Sequence, residues 1–385
     1  MKKQAIALVT LGVAAALALT GCGGGGRTTA PTTAPAPASS GAASSEAAPV
    51  AGFPAGSTIG VSLPQKTSEN WVLAEGYFND GLTKAGYKPM VTFADGGVPE
   101  QQNQIQSMIT AGAKVIVIGA IDGSQLGTQL AAAKAAGITI IAYDRLLTNT
   151  PDVDMYVAYD PCQVGKLQGQ ALLDGLAAQQ GKSPWNIEMI AGSPDDANST
   201  PFFQCAFNVI KPKIDDGTLV IPSGQTTQDQ VATPGWDPKN VQTRFDAIMS
   251  GFYTGGKVLN GILSPNDTLA RAAVTSAVAA GQKNPVVTGQ DSEVESVQWI
   301  ADGKQYSTIN KDTLTLVNKV IEIVGTLQQG KTVEYNDTSS YNNGKVTVPA
   351  YVLTPIIVTK DNLCTTYDPS TGAGQAAAAT ALCKK

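Results

Sequence analysis

Histidine is absent from all 385 residues. With it go the commonest general base, the Ser-His and Cys-His nucleophile pairs and the commonest zinc ligand. That gap favours a chain that holds a partner over one that transforms it. Basic residues are in deficit too: 26 Lys and Arg against 31 Asp and Glu leave a formal charge of -5, so no positive field recruits nucleic acid. Aromatic residues make up only 6% of the chain. What is plentiful is Ala and Gly, in long polar-periodic segments that alternate with short apolar ones, the pattern of an α/β protein rather than an all-β one.

One apolar run stands apart from that rhythm. It spans residues 5–19, follows Lys2 and Lys3 and closes on Leu19-Thr20-Gly21-Cys22, so residues 1–21 read as a secretory signal. The closing tetrapeptide resembles a bacterial lipobox. The resemblance implies cleavage before Cys22, acylation of Cys22, and a mature protein anchored to the outer face of the cell membrane. As a membrane span the run falls short of the roughly 20 apolar residues required, and the glycines at 23–26 stop it. Residues 22–56 are mostly Gly, Thr, Ala, Pro and Ser and read as a flexible tether, because they bury too little apolar surface to offset ordering entropy. The glycines 23–26 follow no strand and precede no Gly-Lys-Ser/Thr, which sets aside a phosphate loop.

From Thr58 the pattern becomes regular. Strands are expected at 58–63, 88–94, 115–119 and 138–143, with helices at 69–85, 99–111 and 124–136; Pro99 opens the second helix and Gly112 closes it. The rhythm then repeats, with strands at 186–191, 219–225, 258–263, 286–288 and 306–309. Helices are expected at about 163–180, 199–215, 238–250, 267–280, 294–302 and 312–329. The reading is two doubly wound parallel-sheet lobes, the first over 57–160 and the second over 161–311. A return segment at about 312–360, with a strand at 350–358, brings the chain back to the first lobe, and 361–385 is a C-terminal extension.

Ligands of open parallel sheets sit beyond the strands' carboxyl ends. There the sequence places Asp122, Asp144-Arg145, Asn266-Asp267, Asp291 and Asn310-Lys311. Asp122 and Asp267 read first as helix caps, with Asp122 kept among the candidate contacts. The set mixes donors and acceptors rather than forming a basic anion pocket. A carboxylate accepts from two adjacent hydroxyls, a guanidinium donates as a fork and an amide does both, which is the chemistry of carbohydrate recognition. Trp71 and Trp236 are candidate platforms for the apolar face of a pyranose, with core or hinge packing as the alternative; Trp185 and Trp299 read as structural.

Ala142-Tyr-Asp-Arg145, Gly192-Ser-Pro-Asp-Asp196, the stretch from Gln204 to Lys211, Pro222-Ser-Gly-Gln225, Val287-Thr-Gly-Gln-Asp291 and Tyr306-Ser-Thr-Ile-Asn-Lys311 are similar, in order and spacing, to the xylose-type and multiple-monosaccharide solute-binding proteins of ABC importers. The resemblance runs from about Thr58 to Val358. It implies the type I periplasmic-binding fold, two lobes joined by a three-crossover hinge, closing on one monosaccharide. It implies sugar contacts at Trp71, Asp144, Arg145, Asn198, Trp236, Asn266, Asp291 and Lys311, and membrane permease subunits as the partner. Members commonly carry arginine where this chain has Asn70, which puts sugar preference in question. No cofactor or metal is implied, and a monomer is expected.

Five cysteines complete the reading. With Cys22 as the lipid site, four remain in an oxidising exterior, where three pairings are open. Cys162 with Cys205 and Cys364 with Cys383 is the favoured pairing, and reduced buried thiols are the alternative. The tail 369–385 is either a short helix fixed by Cys383 or loose. Two rival functions remain: a receptor that presents bound sugar to a membrane sensor, and a carbohydrate-active enzyme using Asp144 and Asp291 as its carboxylate pair.

Overall fold

A computed structural model describes residues 52–384; the signal segment, Cys22 and the tether as far as residue 51 lie outside the described residues. The first lobe alternates strand and helix: β1 (Thr58–Leu63), α1 (Glu69–Lys84), β2 (Lys88–Phe93), α2 (Val98–Thr110), β3 (Val115–Ile118), α3 (Gly127–Ala135), β4 (Thr139–Tyr143) and β5 (Met155–Tyr159). The chain then builds α4 (Pro161–Gln179), β6 (Trp185–Met189), α5 (Ser199–Asp215), β7 (Leu219–Val220), α6 (Gln228–Val231), α7 (Pro238–Phe252), β8 (Gly261–Leu263), α8 (Asp267–Ala279), β9 (Val286–Val287), α9 (Val294–Asp302) and β10 (Ser307–Asn310). Last come α10 (Thr313–Gln328), β11 (Ala350–Leu353), β12 (Ile356–Thr359), α11 (Leu363–Thr366) and α12 (Gly372–Ala379).

Continuous apolar strands need cover on both faces, and each sheet has it. The first is parallel, in the order β11-β5-β4-β3-β1-β2. Alternate residues of β3 divide between its two layers: Val115 and Val117 join the core with Phe78 of α1 and Val320 of α10, while Ile116 and Ile118 join Met108 of α2 and Leu130 of α3. The second sheet is parallel in the order β7-β6-β8-β9, with α4 and α5 on one face and α7 and α8 on the other.

The chain passes between lobes three times. It leaves the first after β5, where the Asp160 carboxylate caps α4 by accepting from the Gln163 N–H at 2.9 Å. It returns after β10, where Asp312 caps α10 by accepting from the Thr315 N–H at 2.6 Å. The third passage splits the strand expected at 350–358: Pro355 has no N–H to donate, so β11 ends its parallel pairing with β5 and β12 turns to pair antiparallel with β10. Tyr159 Oη donates to the Asp312 carbonyl at 3.1 Å and the Asp160 N–H to the Leu353 carbonyl at 3.1 Å, binding the three passages together.

Other differences have local causes. The buried strand β5 was not expected. The strand expected at 219–225 stops at Val220, before Pro222. The tether ends sooner than 56: the Phe53 N–H donates to the Gln328 carbonyl at 3.2 Å, and its ring lies 6.4 Å from that of Tyr87. The C-terminal extension is helical and packs Leu363, Ala376 and Ala377 on Val297 and Ile300 of α9. Disulfides join Cys162 to Cys205 and Cys364 to Cys383, each with Cα atoms 5.3 Å apart. Among the described residues no helix is long and apolar enough to cross a membrane.

Candidate functional site

The carboxyl ends of both parallel sheets face one cleft. From the first lobe come Ser68, Asn70, Trp71, Asp144 and Arg145; from the second come Asp196, Phe202, Trp236, Asn266, Gln290, Asp291 and Lys311. The walls leave a cavity of only about 20 Å3 between them, so a ligand larger than water enters as those walls move apart. Asp144, Trp236 and Asp291 have φ of 59°, 54° and 90°, left-handed values that non-glycine residues avoid unless their surroundings fix them.

Both indoles are wedged against glycines. A Cβ on Gly119, just after β3, would meet the Trp71 ring at 2.9 Å, and one on Gly192, beyond β6, would collide with the Trp236 ring. Trp71 also packs edge-on to Tyr143 with centroids 6.0 Å apart, and Trp236 Nε1 donates to Asp196 Oδ2 at 3.1 Å. Phe202 adds a third aromatic wall, with Lys311 Nζ 5.6 Å from its centroid.

Every charge in the cleft has a counter-charge. Arg145 Nε lies 2.8 Å from Asp196 Oδ2, an ion pair whose N–H is not aligned on the oxygen, and Arg145 Nη1 donates to the Ala120 carbonyl at 2.9 Å. Lys311 Nζ lies 3.1 Å from Asp291 Oδ1 and 3.5 Å from Asp144 Oδ2. Burial pushes the Asp196 and Asp291 carboxyls above their ordinary value, although Arg145 and Lys311 respectively draw them down. Burial alone would lower the Lys311 ammonium, yet Asp144 and Asp291 outweigh it and hold the group above its ordinary value. Three carboxylates against two cations leave no spare positive charge for an anion. Two buried amide oxygens, Asn70 Oδ1 and Gln290 Oε1, have no hydrogen-bond donor. Such atoms are costly unless something fills the cleft and supplies the missing donors.

The lobes touch across the cleft. Besides the two ion-paired clusters, Asn198 Nδ2 donates to the Asp144 carbonyl at 2.9 Å, Gln65 Nε2 to the Gly235 carbonyl at 3.4 Å, and the Val294 N–H at the start of α9 to Glu69 Oε2 at 3.0 Å. This is a closed arrangement.

Of the residues expected from sequence, Asn70, Trp71, Asp144, Arg145, Trp236, Asn266, Asp291 and Lys311 meet here. Asn198 does not line the cleft; it stands behind Asp144, where Tyr156 Oη donates to the same Asp144 carbonyl at 2.7 Å. Asp122 is outside as well: its Oδ1 accepts from the Ser124 N–H at 2.8 Å and from Ser124 Oγ at 2.6 Å, closing a turn after β3. Nor does Asp267 cap α8, since Asn266 Oδ1 takes that place by accepting from the Leu269 N–H at 3.0 Å. Ser68, Asp196, Phe202 and Gln290 were not expected as lining residues. Asp196 and Gln290 stood within motifs already singled out, whereas Phe202 lies in the first turn of α5 and carried no signal. Among the described residues no group of three His, Cys, Asp or Glu side chains is placed to hold a metal ion.

Two lobes of parallel sheet closing over a cleft at their strand ends define a class of solute-binding protein. The chain belongs to the periplasmic binding protein family, whose domain model matches residues 59–332. It is 44% identical over 310 residues to the multiple sugar-binding periplasmic receptor ChvE of Rhizobium radiobacter, covering 79% of this chain and 87% of the relative. It is 31% identical over 306 residues to the D-xylose-binding periplasmic protein of Escherichia coli, covering 79% and 87%. Among solved structures it is similar to an ABC transporter solute-binding protein of Clostridium phytofermentans with β-D-glucose bound, with a TM-score of 0.76, 38% identity and coverage of 79% and 94%.

Proposed function

We propose that the chain is the extracytoplasmic monosaccharide-binding component of an ABC sugar importer, taking an aldose such as xylose, glucose or galactose by lobe closure. The observation that carries this reading is the closed cleft, in which wedged indoles and unpartnered amide oxygens surround cations already paired with carboxylates. A neutral polyol supplies what is missing: hydroxyls for Asn70 and Gln290, and apolar C–H faces for the aromatic walls. Sugar held by one lobe recruits the other, and closure shields the new hydrogen bonds from water.

The sugar-binding relatives support the same ligand class. The lipobox-like Leu19-Thr20-Gly21-Cys22 supports a lipid anchor at Cys22 on the outer face of the cell membrane. Binding without turnover is favoured over glycoside hydrolysis because Asp144 and Asp291 share one ammonium, Lys311. With both carboxylates engaged by that ammonium, neither stands free to attack or protonate a glycoside. A sensor receptor has the same cleft, and sugar uptake that survives deletion of the gene would favour it.

Titration calorimetry tests the proposal directly. D-glucose, D-xylose or D-galactose is expected to saturate one site, while glucuronate and glucose 6-phosphate are rejected for want of a free cation. No heat with any of the three aldoses would overturn the reading, as would a sugar recovered from the complex in cleaved or altered form.

A further inference from the structure

Asp267 is fully buried in the first turn of α8 and does not line the cleft, but it binds the segment that carries Gln290 and Asp291, which do. Its Oδ1 accepts from Gln305 Nε2 at 2.7 Å. Its Oδ2 accepts from Thr308 Oγ1 at 2.9 Å and from the Glu293 N–H at 3.0 Å. Its own N–H donates to the Gln290 carbonyl at 3.1 Å. These bonds grip both ends of the segment Gln290-Asp291-Ser292-Glu293. The two residues between the grips have φ of 90° and 54°, so the backbone there is left-handed without glycine. Thr308 completes the clamp, since its Oγ1 also accepts from the Ser292 N–H at 3.2 Å. A Cβ on Gly289 would collide with Asp267 Oδ1, so the chain enters this segment pressed against the carboxylate.

We propose that Asp267 is a positioning residue: a buried template that holds the left-handed turn and so aims the Asp291 carboxylate and the Gln290 amide into the cleft. It touches no ligand and yet sets which hydroxyls are discriminated. A helix cap would spend the carboxylate on the free N–H groups of α8, a task that falls to Asn266. A charge retained for an ion pair would face Arg271, but that guanidinium is bound to Glu293.

This inference rests on the sugar-binding reading, and the experiment separates the two. Wild type, Asp267→Asn and Thr308→Val are titrated with the tightest-binding of D-glucose, D-xylose and D-galactose and with the monodeoxy analogues of that sugar. In Asp267→Asn the parent sugar is expected to bind at least about tenfold more weakly. The penalty for deleting one or two adjacent hydroxyls is expected to shrink at least about fivefold while the others stay within about twofold, the coupling of a residue that acts through a contact. Affinity that is unchanged, or that falls equally for every analogue with all penalties kept, overturns the proposal. Thr308→Val removes the bond donated to Asp267 and the one accepted from the Ser292 N–H with little change of shape, so the same selective narrowing is read even if Asp267→Asn fails to fold. Wild type that binds none of the three sugars refutes the ligand class; wild type that binds with penalties unmoved in both variants refutes Asp267 alone.

Discussion

The carboxylate of Asp291 shows how far function and stability diverge at a single residue. Burial raises its pKa, so the ionised form is held in the folded protein at a cost, and Lys311 offsets part of it. Asp291→Asn is therefore expected to weaken aldose binding at least about 100-fold, as expected for loss of a charged hydrogen-bonding partner. The melting temperature of the sugar-free protein should be unchanged or higher. Calorimetry of both quantities checks the pair, and a large fall in melting temperature would contradict it. Gly192→Ala is expected to act in the opposite sense: the new methyl drives into the Trp236 indole and costs about 1 to 3 kcal/mol of stability along with the platform. Denaturant unfolding measures it. Such residues were legible in the sequence to unequal degrees. Asp144, Asp291 and Lys311 were visible because parallel strands point their carboxyl ends at ligands. Gln290 was not, because the two left-handed residues after it break any alternation the sequence displays, and Asp267, seen at a strand end, read as a helix cap where Asn266 does that work.

Helices that start and end on their own punctuation were read almost residue by residue, as α5 and α9 show. Strands were read less well, since β5, β7 and the pair β11 and β12 owe their limits to neighbouring strands and to prolines rather than to their own composition. One contact between elements has a measurable consequence. No side chain of the second lobe caps α9; Glu69, the first residue of α1, accepts from its first N–H across the cleft. Carboxylates at helix N-termini contribute about 0.3 to 1 kcal/mol. Glu69→Ala should thus speed sugar release about two- to fivefold, by the same factor for every sugar, because closure rather than recognition is weakened. Stopped-flow displacement reads it, and release rates equal to wild type would show the contact to be idle.

For the whole molecule, the absence of histidine means that no side chain has an unperturbed pKa between 5 and 8. Its acid response falls instead to buried carboxyls such as Asp196 and Asp291, both raised from 3.8. A raised carboxyl contributes stability that is fully present below its ordinary value and lost as pH rises through the folded one. The contribution of these two groups to the melting temperature of the sugar-free protein should therefore grow as pH falls towards 3.8, and grow less in Asp291→Asn. Lys311 works at the other extreme: raised above 10.5, it contributes stability at every lower pH and loses it in strong alkali. The Cys162–Cys205 bridge encloses a span of 43 residues and by chain entropy contributes about 4 kcal/mol, a loss that unfolding of the Cys162→Ser, Cys205→Ser variant should register.

Phe53 is fastened beside Tyr87 and Gln328, on the layer of the first lobe that α1 and α10 form. A tug on the chain upstream of that point is borne by one half of the body alone. The opposite half stays unloaded, so the lipid anchor proposed at Cys22 would put no brake on the proposed closing of the lobes.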